Sequence, residues 1–198
     1  RAPRACPPPD PGKMGVLDRV GTPEQNGGWL KPLLAGGIRP AFAMTEPDVA
    51  SSDARNISTS AVLDGDDWVI NGEKFYISGA GDPRCKIMIV MVKTSPEAET
   101  FRQQSQILVP MDTPGVTTRP IINLEMDDEF SEVFFDDVRV PKENTVGEVN
   151  QGWTMAKNLL GFERHFLGSP PQAANALSNL RGRGEQYGRL TDPGMGAL

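Results

Sequence analysis

Three groups of residues in this 198-residue chain have types and spacings that could do chemistry. Residues 42–53 crowd Thr45, Glu46, Ser51, Ser52 and Asp53 around Pro47, directly after apolar residues ending at Met44. Residues 75–78 place the ring of Tyr76 two positions before the hydroxyl of Ser78, after a turn and a strand-like run. Both segments offer hydroxyl and backbone hydrogen-bonding groups, and the second adds an aromatic face. The third group is Glu163 with Arg164. At 3.6 residues per turn, Trp153, Ala156, Leu160 and Leu167 share one helical stripe with Leu159 on its flank. Glu163 falls inside that stripe and Arg164 at its opposite edge. A carboxylate there is paired, protonated or functional, because an unpaired buried charge is very costly. An ion pair with a neighbouring arginine and a catalytic role both meet that condition.

Other chemistries find no support. His165 is the sole histidine, which excludes a multi-histidine metal site, and the distant Cys6 and Cys85 do not make a zinc knuckle. No Gly-x-Ser-x-Gly elbow, Walker loop or dinucleotide glycine fingerprint occurs. A net charge of −6 without a Lys/Arg stripe argues against a nucleic-acid partner. No apolar run is long enough to span a bilayer. Cys6 lies in a proline-rich start and Cys85 beside a predicted turn, so no structural disulfide is expected and a reducing compartment is favoured.

The elements that must position these residues fall into blocks. Residues 1–12 read as a disordered tail and 13–37 as helical. Within the latter, Thr22-Pro23-Glu24-Gln25 forms a capping box, and Gly27 and Gly28 weaken the helix by about 1 kcal/mol each. Residues 38–146 show short strand-like runs between turns, the pattern of an antiparallel barrel or sandwich. Asn71-Gly72 is the strongest hairpin signal there. The apolar run 86–93 suits a fully buried strand. Residues 95–105 read as a surface excursion. Asn150 is expected to cap a helix from 151 to 167, Pro170 and Pro171 interrupt it, and a weaker helix follows to 181. Residues 182–198 read as a second disordered tail. The fold class expected is α+β: a β-barrel or sandwich flanked by helices of an incomplete bundle.

The two opening segments resemble the flavin-binding core of the acyl-CoA dehydrogenase family. The likeness extends in order through residues 42–53, 71–79, 106–115, 132–144 and 151–164, and residues 22–34 resemble the helical entry that precedes them. It covers about residues 13–181, with the Thr45-Glu46-Pro47 motif similar to the longer-loop branch of family members 10 and 11. The resemblance implies FAD as cofactor, contacted by Phe42, Met44, Thr45, Ser51, Ser52, Tyr76, Ile77 and Ser78. Tyr76 stands where tryptophan is more usual and Ser78 where threonine is. Ser52 and Arg164 are implied substrate contacts. Glu163 is the implied base, in a subset that carries it on the first helix after the β-domain, one residue before an arginine.

The reaction so implied is α,β-dehydrogenation of an acyl-CoA to a trans-2-enoyl-CoA, with an electron-transferring flavoprotein as redox partner. A homo-oligomeric full-length form in the cytoplasm or mitochondrial matrix is also implied. Family helices before residue 13 and after 181 find no counterpart, so the chain reads as truncated at both ends. A catalytically inactive remnant that serves as a binding module, and a flavin monooxygenase or nitroalkane oxidase-like relative, are the alternative readings.

Overall fold

The apolar run at residues 86–93 decides the architecture, because both of its faces must be covered. In the computed structural model, residues 11–51, 53–167 and 170–189 are described, with the side chains of residues 11–13, 54, 162–167 and 172 outside that description. The helical start comprises α1 (Pro11–Val20), α2 (Pro23–Gln25), a π-helical turn (Asn26–Leu30) and α3 (Lys31–Leu34). The strands are β1 (Arg39–Ala43), β2 (Ser60–Asp64), β3 (Asp67–Ser78), β4 (Cys85–Lys93), β5 (Gln104–Pro110), β6 (Val116–Ile121) and β7 (Phe130–Pro141). Two helices follow, α4 (Gly152–Leu167) and α5 (Pro170–Gln186). Residues up to 160 make one compact unit and residues from 161 a second.

The strands form one curled half-barrel sheet in the order β1-β4-β2-β3-β7-β6, with β5 also paired to β4. The α+β architecture expected from sequence is therefore present, with one refinement. Most pairings are antiparallel, but β1 runs parallel to β4 from Arg39↔Cys85 to Ala43↔Val90. A parallel pair needs a long crossover, and the β2–β3 hairpin supplies it.

Strand β4 is buried on both faces. Met88, Val90 and Val92 point into the barrel-side core with Ile70, Val109, Val133 and Val138. Ile87 and Ile89 point the other way, into a cluster with Leu17, Leu33, Val146, Met155 and Leu159. One strand thus ties the sheet to the flanking helices.

Several local expectations are corrected. Asn71-Gly72 is not a hairpin. Strand β3 runs straight through it, and the tight turn lies between Asp64 and Asp67, where β2 and β3 pair. The register of β3 against β7 shifts between Ile70 and Gly72, and Asn71 exchanges hydrogen bonds of 3.0 and 2.9 Å with Asp137 of β7. Gly72 is required because a Cβ there would sit 2.6 Å from Thr59 Oγ1. Asn150 does not cap α4. Its side chain accepts from Thr94 Oγ1 at 2.7 Å and its backbone φ is 66°. The buried face of α4 centres on Met155, Ala156 and Leu159, while Trp153 and Leu160 are half-buried. Gln104 and Ser105, placed in a surface excursion, are fully buried in β5.

The helical boundaries also differ. Helix α1 begins at Pro11, and α5 continues past 181 to Gln186. Residues 1–10 and 190–198 of the two expected tails lie outside the described residues. The capping box at Thr22 and Gln25 forms as read, with bonds of 3.2 and 3.1 Å. The helix is not regular beyond it. Pro32 cannot donate to the carbonyl four residues back, and the preceding turn widens so that Lys31 N bonds Asn26 O.

Candidate active site

The site is built on a lysine that period-two alternation forces inward. In β3, Trp68, Ile70 and Lys74 share one face, and Lys74 is fully buried. A buried ammonium requires a carboxylate, and Glu46 supplies it at 2.8 Å. Glu46 also accepts from Ser58 N at 2.6 Å, Ser58 Oγ at 2.8 Å and Thr59 N at 2.9 Å. Burial pushes the Glu46 carboxyl up, but the Lys74 charge and these hydrogen bonds outweigh it and hold its pKa at about 2. Burial lowers Lys74 to about 8 against the opposing pull of Glu46. The remaining Lys74 bond, 2.9 Å to Met44 O, fixes the chain just after β1.

A β-bulge presents the aromatic residue. The β3–β7 register steps from Lys74↔Val133 to Ile77↔Ser131, so Phe75 and Tyr76 together face Glu132. Tyr76 adopts φ 57°, in the left-handed region. Its ring turns out to solvent, 57% exposed, while Lys74 and Ile77 on either side are buried. Phe75 leaves the β7 ladder and pairs with Thr45 instead: Phe75 N donates to Thr45 O at 2.8 Å, and Thr45 Oγ1 donates to Phe75 O. Tyr76 packs edge-on against Phe75 and Phe130, with centroids 4.4 and 6.0 Å away.

The Thr45–Phe75 junction joins two segments that carry expected cofactor residues. Phe42, Met44 and Thr45 are half-buried on β1 and the residues after it, and exposed Tyr76 and Ser78 lie on the bulged end of β3. Ile77 differs: its side chain is in the barrel-side core, leaving only its backbone for a ligand. Ser51 is buried and spends its hydroxyl on Glu46, accepting from its N–H at 2.8 Å and donating to its carbonyl at 2.9 Å. Ser52 lies outside the described residues. Glu163 and Arg164 lie on the backbone of α4, with their side chains outside the described residues.

The chemistry available at the junction is that of a flat, amphipathic ring ligand. An exposed aromatic face, an exposed hydroxyl and a half-buried apolar ledge stand together on a backbone fixed by a buried ion pair. A cleft of about 580 Å³ opens beside the Glu46 turn, lined by Pro47, Asp48, Glu73, Arg119 and Phe134 among others. None of the expected cofactor residues lines it. There Arg119 stacks 4.6 Å over Phe134, and burial, followed by neighbouring Glu132 and Asp48, raises the Glu73 carboxyl.

The half-barrel sheet has the fold of a known domain. The family description "Acyl-CoA dehydrogenase, middle domain" matches residues 41–138. The chain belongs to the acyl-CoA dehydrogenase family. It is 51% identical over 183 residues to the Mycobacterium tuberculosis protein named "Probable acyl-CoA dehydrogenase FadE2", covering 90% of this chain and 45% of that protein. It is 47% identical over 189 residues to acyl-CoA dehydrogenase family member 11 of Gallus gallus, covering 91% of this chain and 24% of the relative. Among solved structures, the acyl-CoA dehydrogenase of Geobacillus kaustophilus superposes with a TM-score of 0.70 at 37% identity, over 76% of this chain and 40% of that one. The chain therefore spans less than half the length of these relatives.

Sequence reasoning missed Glu46 and Lys74 as the buried pair beneath this candidate site. The signal was present: a lysine on the same strand face as Trp68 and Ile70 has to be paired. It also missed the contacts of Phe101 with Arg55 and Trp153.

Proposed function

We propose that this chain forms the flavin- and acyl-facing part of an enzyme that dehydrogenates an acyl-CoA to a trans-2-enoyl-CoA. The observation that supports the reading is the Thr45–Phe75 junction, which bonds the segment after β1 to the bulged end of β3 that carries the exposed Tyr76 and Ser78. These residues fit FAD: an aromatic face for the isoalloxazine, a hydroxyl at its reactive edge, and amides and a hydroxyl for its polar edge. When bound, the flavin supplies the acceptor for a hydride from the acyl β carbon.

The rest is the work of the chain's own residues. Tyr76 would offer one face to the ring and exclude water there, and Ser78 would supply a hydroxyl donor. The Thr45 hydroxyl, which bonds Phe75 O, would be a second polar group for the cofactor. Ser51 shapes the turn before Ser52, and Ser52 would contact the acyl thioester. Glu163 takes the α proton, and Arg164 meets the substrate beside it. A carboxylate base that works near neutrality needs desolvation to raise its pKa. Acyl-CoA is the substrate class, and an electron-transferring flavoprotein would be the redox partner. The longer protein assembles as a homo-oligomer in the cytoplasm or mitochondrial matrix.

Absorption spectroscopy tests this. Purified with FAD, the chain is expected to retain a visible flavin band that bleaches on addition of acyl-CoA in a form of the protein carrying the remaining helices. Glu163→Gln should keep the band and lose the bleaching. Absence of flavin uptake removes the cofactor assignment, and full bleaching by Glu163→Gln removes Glu163 as base.

A further inference from the structure

Side chains from three separate segments, those of Arg55, Phe101 and Trp153, meet beside the turn that Glu46 and Ser51 close. Phe101 belongs to the 3-10 turn Thr100–Arg102 in the β4–β5 connection. Its ring stacks on Trp153 of α4, 6.3 Å between centroids at 27°. The Arg55 guanidinium lies 5.6 Å from the centre of the same ring, while Arg55 Nε donates to Asp53 at 2.7 and 2.8 Å. Trp153 rests on Ile57, Met91 and Ala156, the cluster against which Phe42 and Met44 also pack.

The bonds within the turn fix its shape. Ser51 bonds Glu46, and Asp53 N and Asn56 Nδ2 both donate to Ala50 O. They do not fix where its outer end stands. Among the described side chains of residues 53–56, two contacts reach sideways: Gln104 Nε2 donates to Arg55 O at a long 3.4 Å, and Arg55 lies over Phe101. The aromatic contact is therefore a lateral brace for this end of the turn.

We propose that Phe101 is a positioning residue for acyl-CoA. By holding Arg55 and Trp153 at once, it sets the spacing between the turn closed by Glu46 and Ser51 and the start of α4, and so determines how an acyl thioester seats beside that turn. The inference rests on the reading of this site as an acyl-CoA site. Phe101 acts through Arg55 and Asp53 rather than by touching the reacting atoms. Cation–π and aromatic-pair contacts of this kind are the sort whose loss changes an equilibrium about tenfold.

The test is calorimetric titration of octanoyl-CoA into the chain in buffer containing FAD, with flavin uptake read separately by absorbance. Phe101→Ala should weaken octanoyl-CoA binding about tenfold with flavin uptake unchanged, and Phe101→Tyr should restore binding to within about twofold. Arg55→Gln should shift binding in the same direction as Phe101→Ala, which keeps the test open if Phe101→Ala does not fold. Unchanged octanoyl-CoA affinity in Phe101→Ala overturns the proposal, as does equal loss of flavin and acyl-CoA binding, the mark of a general structural role. Wild-type chain that takes up FAD but binds no octanoyl-CoA also overturns it. Binding that depends on Phe101 without flavin uptake would sustain it and remove the flavin assignment instead.

Discussion

Breaking the Lys74–Glu46 pair from either side should have unequal consequences. Both side chains are essentially without solvent, at 0% and 2% exposure, so removing one partner strands a charge in the barrel-side core. In Lys74→Met, Glu46 keeps three donors, Ser58 N, Ser58 Oγ and Thr59 N. The expected cost is about 2–3 kcal/mol. In Glu46→Gln, no anion answers Lys74, which burial already lowers to about 8 with Glu46 in place, so the side chain must shed its proton or stay charged beside Met44 O alone, and the cost rises to about 3–5 kcal/mol. Urea denaturation followed by near-UV circular dichroism reads both values. The double variant should cost less than their sum by at least about 1 kcal/mol, because the two groups act as a unit. Acid stability follows the same pair. The Glu46 carboxyl stands at about 2 against an ordinary 4.5. Its contribution, about 3 kcal/mol, is therefore complete above pH 4.5 and lost as pH falls towards 2. Lys74→Met should move that acid transition to higher pH. A larger loss from Lys74→Met than from Glu46→Gln, or strict additivity in the double variant, would refute the reasoning.

Three further outcomes are expected. Gly72→Ala puts a Cβ 2.6 Å from Thr59 Oγ1 at φ 146° and should lower Tm by about 4–8 °C, a cost of about 2 kcal/mol; a Tm within 1 °C of the parent would contradict it. Tyr76→Gly relieves left-handed backbone strain of about 1 kcal/mol, so thermal stability should hold or rise while flavin affinity falls, and unchanged flavin affinity would remove Tyr76 from the site. Gln25→Ala deletes the capping box and two bonds, 2.8 Å to Glu143 O and 2.9 Å to Thr145 O. It should cost about 2 kcal/mol, seen as faster amide exchange at residues 23–34, and parental protection there would show that the cap is dispensable.

The parts of the fold that were legible from sequence are those governed by short-range chemistry. The capping box at Thr22 and the apolar run of β4 need only neighbouring residues to be recognised. Strand β6 was passed over because its residues are largely exposed and include Pro120; nothing in an exposed edge strand declares itself by alternation. Asn71-Gly72 misled for a physical reason, since a glycine that tolerates unusual φ serves a bulge as readily as a turn. At the site, the serines and aromatic residues stood out by type. Their supports did not, because Glu46 meets Lys74 across 28 residues, and Thr45 meets Phe75 across 30, through tertiary folding alone.

The two-faced burial of β4 has a consequence for how the chain reaches its fold. Residues 87–92 are an uncharged, β-prone apolar stretch that neither the sheet nor the helices can shelter alone. Until both layers arrive, that stretch can pair with its counterpart on another molecule. Lys86, exposed, and Lys93, half-buried, flank it as like charges that oppose such stacking. The same strand that joins the layers of the native protein is thus its chief point of vulnerability to aggregation, and the two lysines are the guards on either side of it.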